Sequence, residues 1–433
     1  MIKVLNSLFL LIFLSSCSFH DSRGFWSKEK KLSKNEIKFT PVFKSEEIIS
    51  KEFNSNLNLS LKKNELKLDK NSYYNNNDGL NFFNGNLKKI KKYSFSKIKN
   101  FYRFEPNLIF HNKKIIFFDN KGSIISFNEN SKLVWKINNY SKEEQKIGPL
   151  ITMSQKDNLI IAADNLGNFY ALNFSNGKIL WSKKNDSSFN SQIKIFENFF
   201  FILDVNNNLN CFSIKDGNKL WSYATEKSFV NSYKKSSIII KNEKIFFTNS
   251  LGDLTALDIN EGKILWQYST LNSDIFANVM NLNTSNLIEN ENSIYFSNNL
   301  GNFYSIDTRS GSINWIQKIS SSIKPVVVKN LIFTISEDGF LFVIEKKTGS
   351  IIRITNLSYK SKFKSLNFIE TTGFTLNHTD LFVSTKSGDL IVVNIRTGKI
   401  SNVLKIDRGK ISRSFVFKQN MYLIRDNSII KIN

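Results

Sequence analysis

Few residues of this chain stand in patterns that could do chemistry. The three histidines, His20, His111 and His378, lie far apart and lack a companion motif. A zinc site or a Ser-His-Asp site needs several such groups at characteristic spacing, so neither is indicated. The two cysteines, Cys17 and Cys211, form no adjacent pair. Asp258 and Asp307 are candidate acids, but both fall in a column that recurs along the chain. No phosphate-cradling glycine loop or dinucleotide fingerprint is present, because the glycines recur singly, as Gly301 and Gly311 do. The one position with a clear chemical context is Cys17.

Met1 to Ser16 reads as a secretory leader. Lys3 supplies the positive start, and Val4 to Leu14 an apolar stretch too short to span a bilayer. Leu14-Ser15-Ser16-Cys17 resembles the lipobox of bacterial lipoproteins. That resemblance implies cleavage before Cys17, diacylation of its sulfur and acylation of the new amine. Two or more acyl chains give a stable anchor where one is marginal. Ser18 follows, with no Asp there to mark retention at the inner membrane, so the resemblance favours the periplasmic face of the outer membrane. A simple leader with a chance cysteine is the alternative. With lipid on Cys17, Cys211 is alone and no intramolecular disulfide can form.

Behind the leader, residues 17–85 are rich in Lys, Asn, Ser and Glu and read as a lipidated cysteine with a flexible tether. The rest, with abundant Phe and only four Pro in the whole chain, suits strands. The formal net charge of +23 invites a nucleic-acid reading. Yet the lysines are spread along the chain among Asn and Ile, and no helix-turn-helix, zinc-finger or RRM-like signature accompanies them. A basic surface drawn to anionic headgroups and acidic partners is what that charge supports.

Residues 86–433 are organised by a repeat. Gly167-Asn-Phe-Tyr-Ala-Leu-Asn-Phe-Ser-Asn-Gly177-Lys-Ile-Leu-Trp181 recurs from Gly252 to Trp266 and from Gly301 to Trp315. Weaker copies begin at Gly122, Asn207, Gly339 and Gly388, and a truncated one at Asn427. Eight units of about 44 residues fit four-stranded propeller blades. An apolar column (Phe127, Leu172, Phe212, Leu257, Ile306, Ile344, Val393, Ile432) is followed at once by a polar one running from Asn128 to Asn433. The apolar column is expected to pack against a neighbouring blade, and the polar one to accept backbone N–H bonds in a turn. Gly177, Gly217, Gly262, Gly311, Gly349 and Gly398 then supply the positive φ of a tight hairpin. Trp135, Trp181, Trp221, Trp266 and Trp315 follow on an outer strand. Arg353 and Asn402 replace Trp in the last two full copies, which predicts looser anchoring there. The eighth unit ends before its outer strand, and residues 86–95 are the natural donor to close the ring.

These columns resemble the quinoprotein-type propeller repeat. Together with the lipobox, eight units and missing cofactor residues, they resemble the BamB family, lipoproteins of the outer-membrane β-barrel assembly machinery. Lys97-Ile-Lys-Asn-Phe-Tyr-Arg-Phe-Glu-Pro-Asn-Leu and the closing stretch from Ile406 to Asn433 extend the likeness over roughly residues 90–433. It implies an all-β, eight-bladed β-propeller of four-stranded antiparallel blades. It also implies a non-enzymatic periplasmic scaffold without cofactor that binds the periplasmic domains of BamA and assists unfolded outer-membrane proteins. Relatives use an Arg-bearing loop and an acidic loop for that contact. Here the first corresponds to about Leu271 to Met280, with Asp274, Ile275 and Phe276 but no Arg. The second corresponds to about Ser320 to Pro325, with Lys324 but no carboxylate. The usual charge pair is therefore missing. Phe276 beside Ile275 is the apolar anchor that could replace it, and a blade cap is the other reading of Phe276.

The same repeat builds quinone-dependent dehydrogenases, which makes an enzyme the main rival. By resemblance, such enzymes add long insertions, an active-site Asp, Ca²⁺ ligands and a vicinal Cys pair. Near-minimal blades leave little sequence for a pocket lid, and Cys211 occupies a small-residue column that Ser126, Ala171 and Ala256 share. A propeller that binds a ligand in its central channel is the third class.

Overall fold

In the second and third strands of each unit, apolar residues run almost without interruption, as in Lys114-Ile-Ile-Phe-Phe118. Such runs suit strands buried on both faces. In the computed structural model they are the middle of a blade whose two faces pack on its neighbours. The structure describes residues 52–61, 85–99, 101–227, 234–270, 282–359 and 369–433. Eight four-stranded antiparallel sheets form an eight-bladed β-propeller, with blades at 109–137, 151–184, 194–224, 238–268, 288–317, 326–356, 371–405 and 415–432. The first strand of each blade lines the centre. The fourth is outermost and alternates exposed with half-buried residues, as in Ile179–Lys184. Among the described residues the one α-helix is Lys142–Ile147, with a Ser141/Glu144 capping box and Gly148 ending it in the left-handed region.

The repeat columns take the places the sequence assigns them. Each repeat start leads into the third strand of its blade, and all eight residues of the apolar column are buried. In six units the side chain of the polar column caps the hairpin that follows. Asp258 Oδ1 accepts from the backbone N–H of Asn260 and Glu261, and Asp307 Oδ1 from those of Arg309 and Ser310. The core is distributed between blades, each cluster spanning neighbours. Phe201, Leu203 and Cys211 of blade 3, for example, pack with Ile238, Phe247 and Leu257 of blade 4.

Adjacent blades are joined by one recurring contact. From blade 1 to blade 6 the tryptophan of one blade lies against the hairpin glycine of the next, and four of the five indole N–H groups donate to a backbone carbonyl there. Trp135 Nε1 reaches Phe174 O at 3.1 Å, Trp181 reaches Ile214 O at 2.9 Å, Trp266 Thr308 O at 3.2 Å and Trp315 Lys346 O at 3.0 Å. A Cβ on Gly311 would stand 2.7 Å from the Trp266 ring, and one on Gly262 2.6 Å from Trp221. Glycine is needed both for φ, +73° at Gly311, and for this close approach.

At blade 6 the expectation of loose anchoring does not hold. Arg353 is fully buried, and its guanidinium donates to Leu57 O, Arg396 O and Ile395 O at 3.1, 2.8 and 2.8 Å. Arginine brings several N–H donors where tryptophan has one, so it can bind the next blade and a further segment together. That segment is residues 52–61, within the stretch read as tether. Phe53 exchanges backbone hydrogen bonds with Ile354, Leu59 N–H donates to Arg396 O, and Leu61 is buried with Leu357 and Ile369. Asn402, the other replacement, is exposed.

The ring closes through its two chain ends. Strand Lys89–Ser94 pairs antiparallel with Ser428–Ile432 as the fourth strand of blade 8, with Tyr93 opposite Ile429. Lys88 N–H donates to Asn433 O at 2.8 Å. Tyr93 is fully buried against Phe127 of blade 1 and Tyr422 of blade 8. The edge left by the truncated eighth unit is thereby paired.

Candidate functional site

A cavity of about 650 Å³ occupies the centre of the ring. Its walls come from the first strands, or the residues just before them, of seven of the eight blades. The strand register explains which residues face it. In every blade, one first-strand residue pairs with the third residue of the second strand: Ile109 with Ile116, Val326 with Phe333, Phe415 with Tyr422. The residue two places before it contributes to the cavity wall in six blades: Asn107, Thr152, Gln192, Asn286, Lys324 and Arg413. All six can donate hydrogen bonds and none is acidic. In blades 4 and 7 the position holds Ser237 and Gly373.

Further cations stand beside this ring. Lys194 begins the first strand of blade 3 and is buried, and Lys235 precedes that of blade 4, its ammonium on Thr152 Oγ1. Among the described residues of the wall, Lys418 is a further cation, paired with Glu129 at 3.1 Å, and Glu105 is the one carboxylate. Glu105 also pairs with Lys234 at 3.3 Å. The Arg413 guanidinium lies 4.3 Å from the centre of the Phe415 ring, a cation–π contact.

Burial and mutual repulsion act on these groups together. Burial brings Lys194 down to about 7. It brings Lys235 to about 8, partly offset by the charges of Asp164 and Glu105. Lys324 falls well below its ordinary value through burial and then the nearby Arg413 charge. Arg413 itself is lowered by burial to about 10, with Glu105 opposing. Burial is thus the main force on these cations of the channel wall.

Of the residues singled out in the sequence, Lys324 lies in this wall, whereas Cys17, Asp274, Ile275 and Phe276 lie outside the described residues. Cys211 packs between blades 3 and 4, and burial pushes its thiol up to about 12, which makes it a poor nucleophile. The His111 ring meets Phe174 edge-on at 4.8 Å. Among the described residues, no group of three or more His, Cys, Asp or Glu side chains could hold a metal ion. Nor is any helix among them long and apolar enough to cross a membrane. The channel ring itself was missed in the sequence, although a signal existed. Its residues stand 21 places ahead of the polar column in seven units, from Asn107 before Asn128 to Gly373 before Asn394, and 20 places ahead in the last.

Comparison with solved structures finds the same fold in BamB from Moraxella catarrhalis, with a TM-score of 0.66 at 15% identity, covering 80% of this chain and 99% of that one. A europium-containing methanol dehydrogenase gives 0.62 at 10% identity, over 78% of this chain and 84% of that one. A quinohemoprotein alcohol dehydrogenase from Pseudomonas putida HK5 gives 0.59 at 9%, over 81% and 76%. At such identities the likeness is one of fold. No protein of curated function matches. A family model described as outer membrane protein assembly factor BamB matches residues 120–355. That match takes in more than half of the sequence and covers the units in which the Trp–Gly contact recurs, so the chain belongs to the BamB family.

Proposed function

We propose that the chain is a non-enzymatic scaffold lipoprotein of outer-membrane protein assembly, anchored through lipid on Cys17 at the periplasmic face of the outer membrane. In this reading it binds the periplasmic domains of the barrel-inserting subunit BamA and assists the folding and insertion of outer-membrane β-barrel proteins. The observation that carries it is the match of residues 120–355 to the BamB family model. The Leu14-Ser15-Ser16-Cys17 motif supports the anchor. Blades close to minimal length support a surface for binding other proteins over a lidded catalytic pocket. The contact is assigned to the loop holding Asp274, Ile275 and Phe276, where an aromatic anchor takes the place of the family's charge pair. Lys324, in the second loop of about Ser320 to Pro325, is proposed as a further contact residue, and it also lines the channel.

The test is affinity purification of the tagged full-length protein from detergent-solubilised membranes of its own host. BamA should be recovered with it, and Phe276→Ala should reduce that recovery. Cys17→Ala should leave the protein in the soluble fraction. Recovery of the wild-type protein without any barrel-inserting subunit would overturn the reading.

A further inference from the structure

The fourth strand of blade 6, Ile351–Asn356, carries a contact that the scaffold reading leaves unused. As an edge strand it offers a row of backbone groups to any extended chain, and residues 52–61 have settled on it. Phe53 N–H donates to Ile354 O at 3.2 Å, and Phe53 O accepts from Ile354 N–H at 2.9 Å, an antiparallel pair. The ladder stops there. Asn54 stands at φ +47°, and Leu57 N–H donates to Asn54 O, so the chain turns away from the edge. At the neighbouring rungs side chains stand in for backbone. Asn54 Nδ2 donates to Ile352 O at 3.3 Å, and Glu52 Oε1 accepts from Asn356 N–H at 3.1 Å. Beyond the turn, Arg353 holds Leu57 O, and Leu61 is buried beside Leu357. Phe53 and Leu57 stay 48% and 41% exposed, so little apolar area holds the segment down. Arg353 Nε is buried without a hydrogen-bond partner among the described residues, so the occupant leaves a donor unused. A segment with so few buried contacts opens at low cost.

We propose that the blade 6 edge is a strand-docking site, that residues 52–61 are its built-in and displaceable occupant, and that an extended segment of an unfolded polypeptide takes their place. A continuous antiparallel strand brings backbone groups to Ile352 and Asn356 as well as to Ile354. It thereby replaces two side-chain hydrogen bonds, each of which costs rotamer freedom, by ladder bonds. Arg353 is set to hold such a chain. Its guanidinium is fixed on Ile395 O and Arg396 O and reaches outward to Leu57 O, a carbonyl that every residue type supplies. Leu57-Asn58-Leu59-Ser60-Leu61 has the alternation of a strand with one buried face, so the partner that fits carries apolar residues at alternate positions. An unfolded client is what the scaffold reading gives the protein to hold, so the choice of partner rests on that reading and the docking site does not.

The test uses the full mature chain and two synthetic peptides of one composition. In the first, Val and Leu alternate with Ser and Thr; in the second the same residues are shuffled so that no alternation remains. Hydrogen exchange of the wild-type protein should quicken within residues 52–61 when the alternating peptide is in excess, because the Phe53 and Leu59 amides lose their acceptors, Ile354 O and Arg396 O. The other blades should be unchanged. In a Leu59→Asp, Leu61→Asp variant, whose own segment is released, the labelled alternating peptide should bind about tenfold or more tightly than in wild type, as when an occupant blocks nine-tenths of the sites. Adding Arg353→Met should remove most of that gain; the wild-type exchange measurement stands if this variant fails to fold. Unchanged exchange in wild type, or no binding by the released variant, overturns the proposal and leaves residues 52–61 as a fixed edge cover. Equal binding of the shuffled peptide overturns the strand geometry. BamA recovery is a separate measurement, so the scaffold and the docking site can each fail alone.

Discussion

Gly311→Ala tests whether the Trp–Gly contact sets the spacing of the blades. The residue sits at φ +73°, and an added Cβ would lie 2.7 Å from Cδ2 and Cε3 of Trp266 in the preceding blade. Two penalties follow. The left-handed backbone costs an alanine roughly 1–2 kcal/mol, and displacing a packed ring costs about 1–3 kcal/mol more. Together they predict a loss of roughly 2–5 kcal/mol, large against the few kcal/mol by which domains are stable. The two are separable, because truncating Trp266 removes the collision but leaves the backbone strain. In a Trp266→Ala background, Gly311→Ala should therefore cost only about 1–2 kcal/mol. The cycle is read by urea denaturation of the four proteins, comparing midpoints where the slopes agree. Equal costs in the two backgrounds, to within roughly 0.5 kcal/mol, would refute the collision as the cause. A neutral Gly311→Ala would refute both terms.

Three further outcomes follow from the same geometry. Deleting residues 86–96 should lower the melting temperature of the whole ring, since it exposes the Ser428–Ile432 edge and removes buried Tyr93; an unchanged melting temperature would mean that the pairing adds no stability. Arg353→Met should cost roughly 2–4 kcal/mol by leaving three carbonyls without their donor, and should speed proteolysis within residues 52–61; protection equal to wild type would show that Arg353 does not hold that segment. Stability should rise between about pH 7 and 8.5, read as melting temperature in phosphate-free buffers. Lys194 has a folded value of about 7, below the roughly 10.4 of an unfolded lysine, so over this range the unfolded chain binds the extra proton and is disfavoured as protons are withdrawn. Lys235 acts in the same sense from about 8. Cys211, raised to about 12, opposes them above the ordinary thiol value of about 8.5. Lys194→Met should flatten the rise, and a falling curve in wild type would contradict the assignment.

The blades were legible in the sequence because each repeat column does one physical job eight times. An apolar residue before a capping Asp or Asn, then a hairpin glycine, specifies a strand and its turn through local geometry. What the tryptophans touch was not legible, since Trp266 meets Gly311 across a blade boundary that no local pattern marks. Arg353 misled for the same reason. In sequence it is a missing tryptophan; in space its neighbours include Leu57, almost three hundred residues away. The channel ring was obscured by composition, because in a chain with 60 Lys and Arg residues a cation at one position of a repeat carries little signal. Alignment of the units on the polar column isolates that position, and the register of the first strands turns it inward.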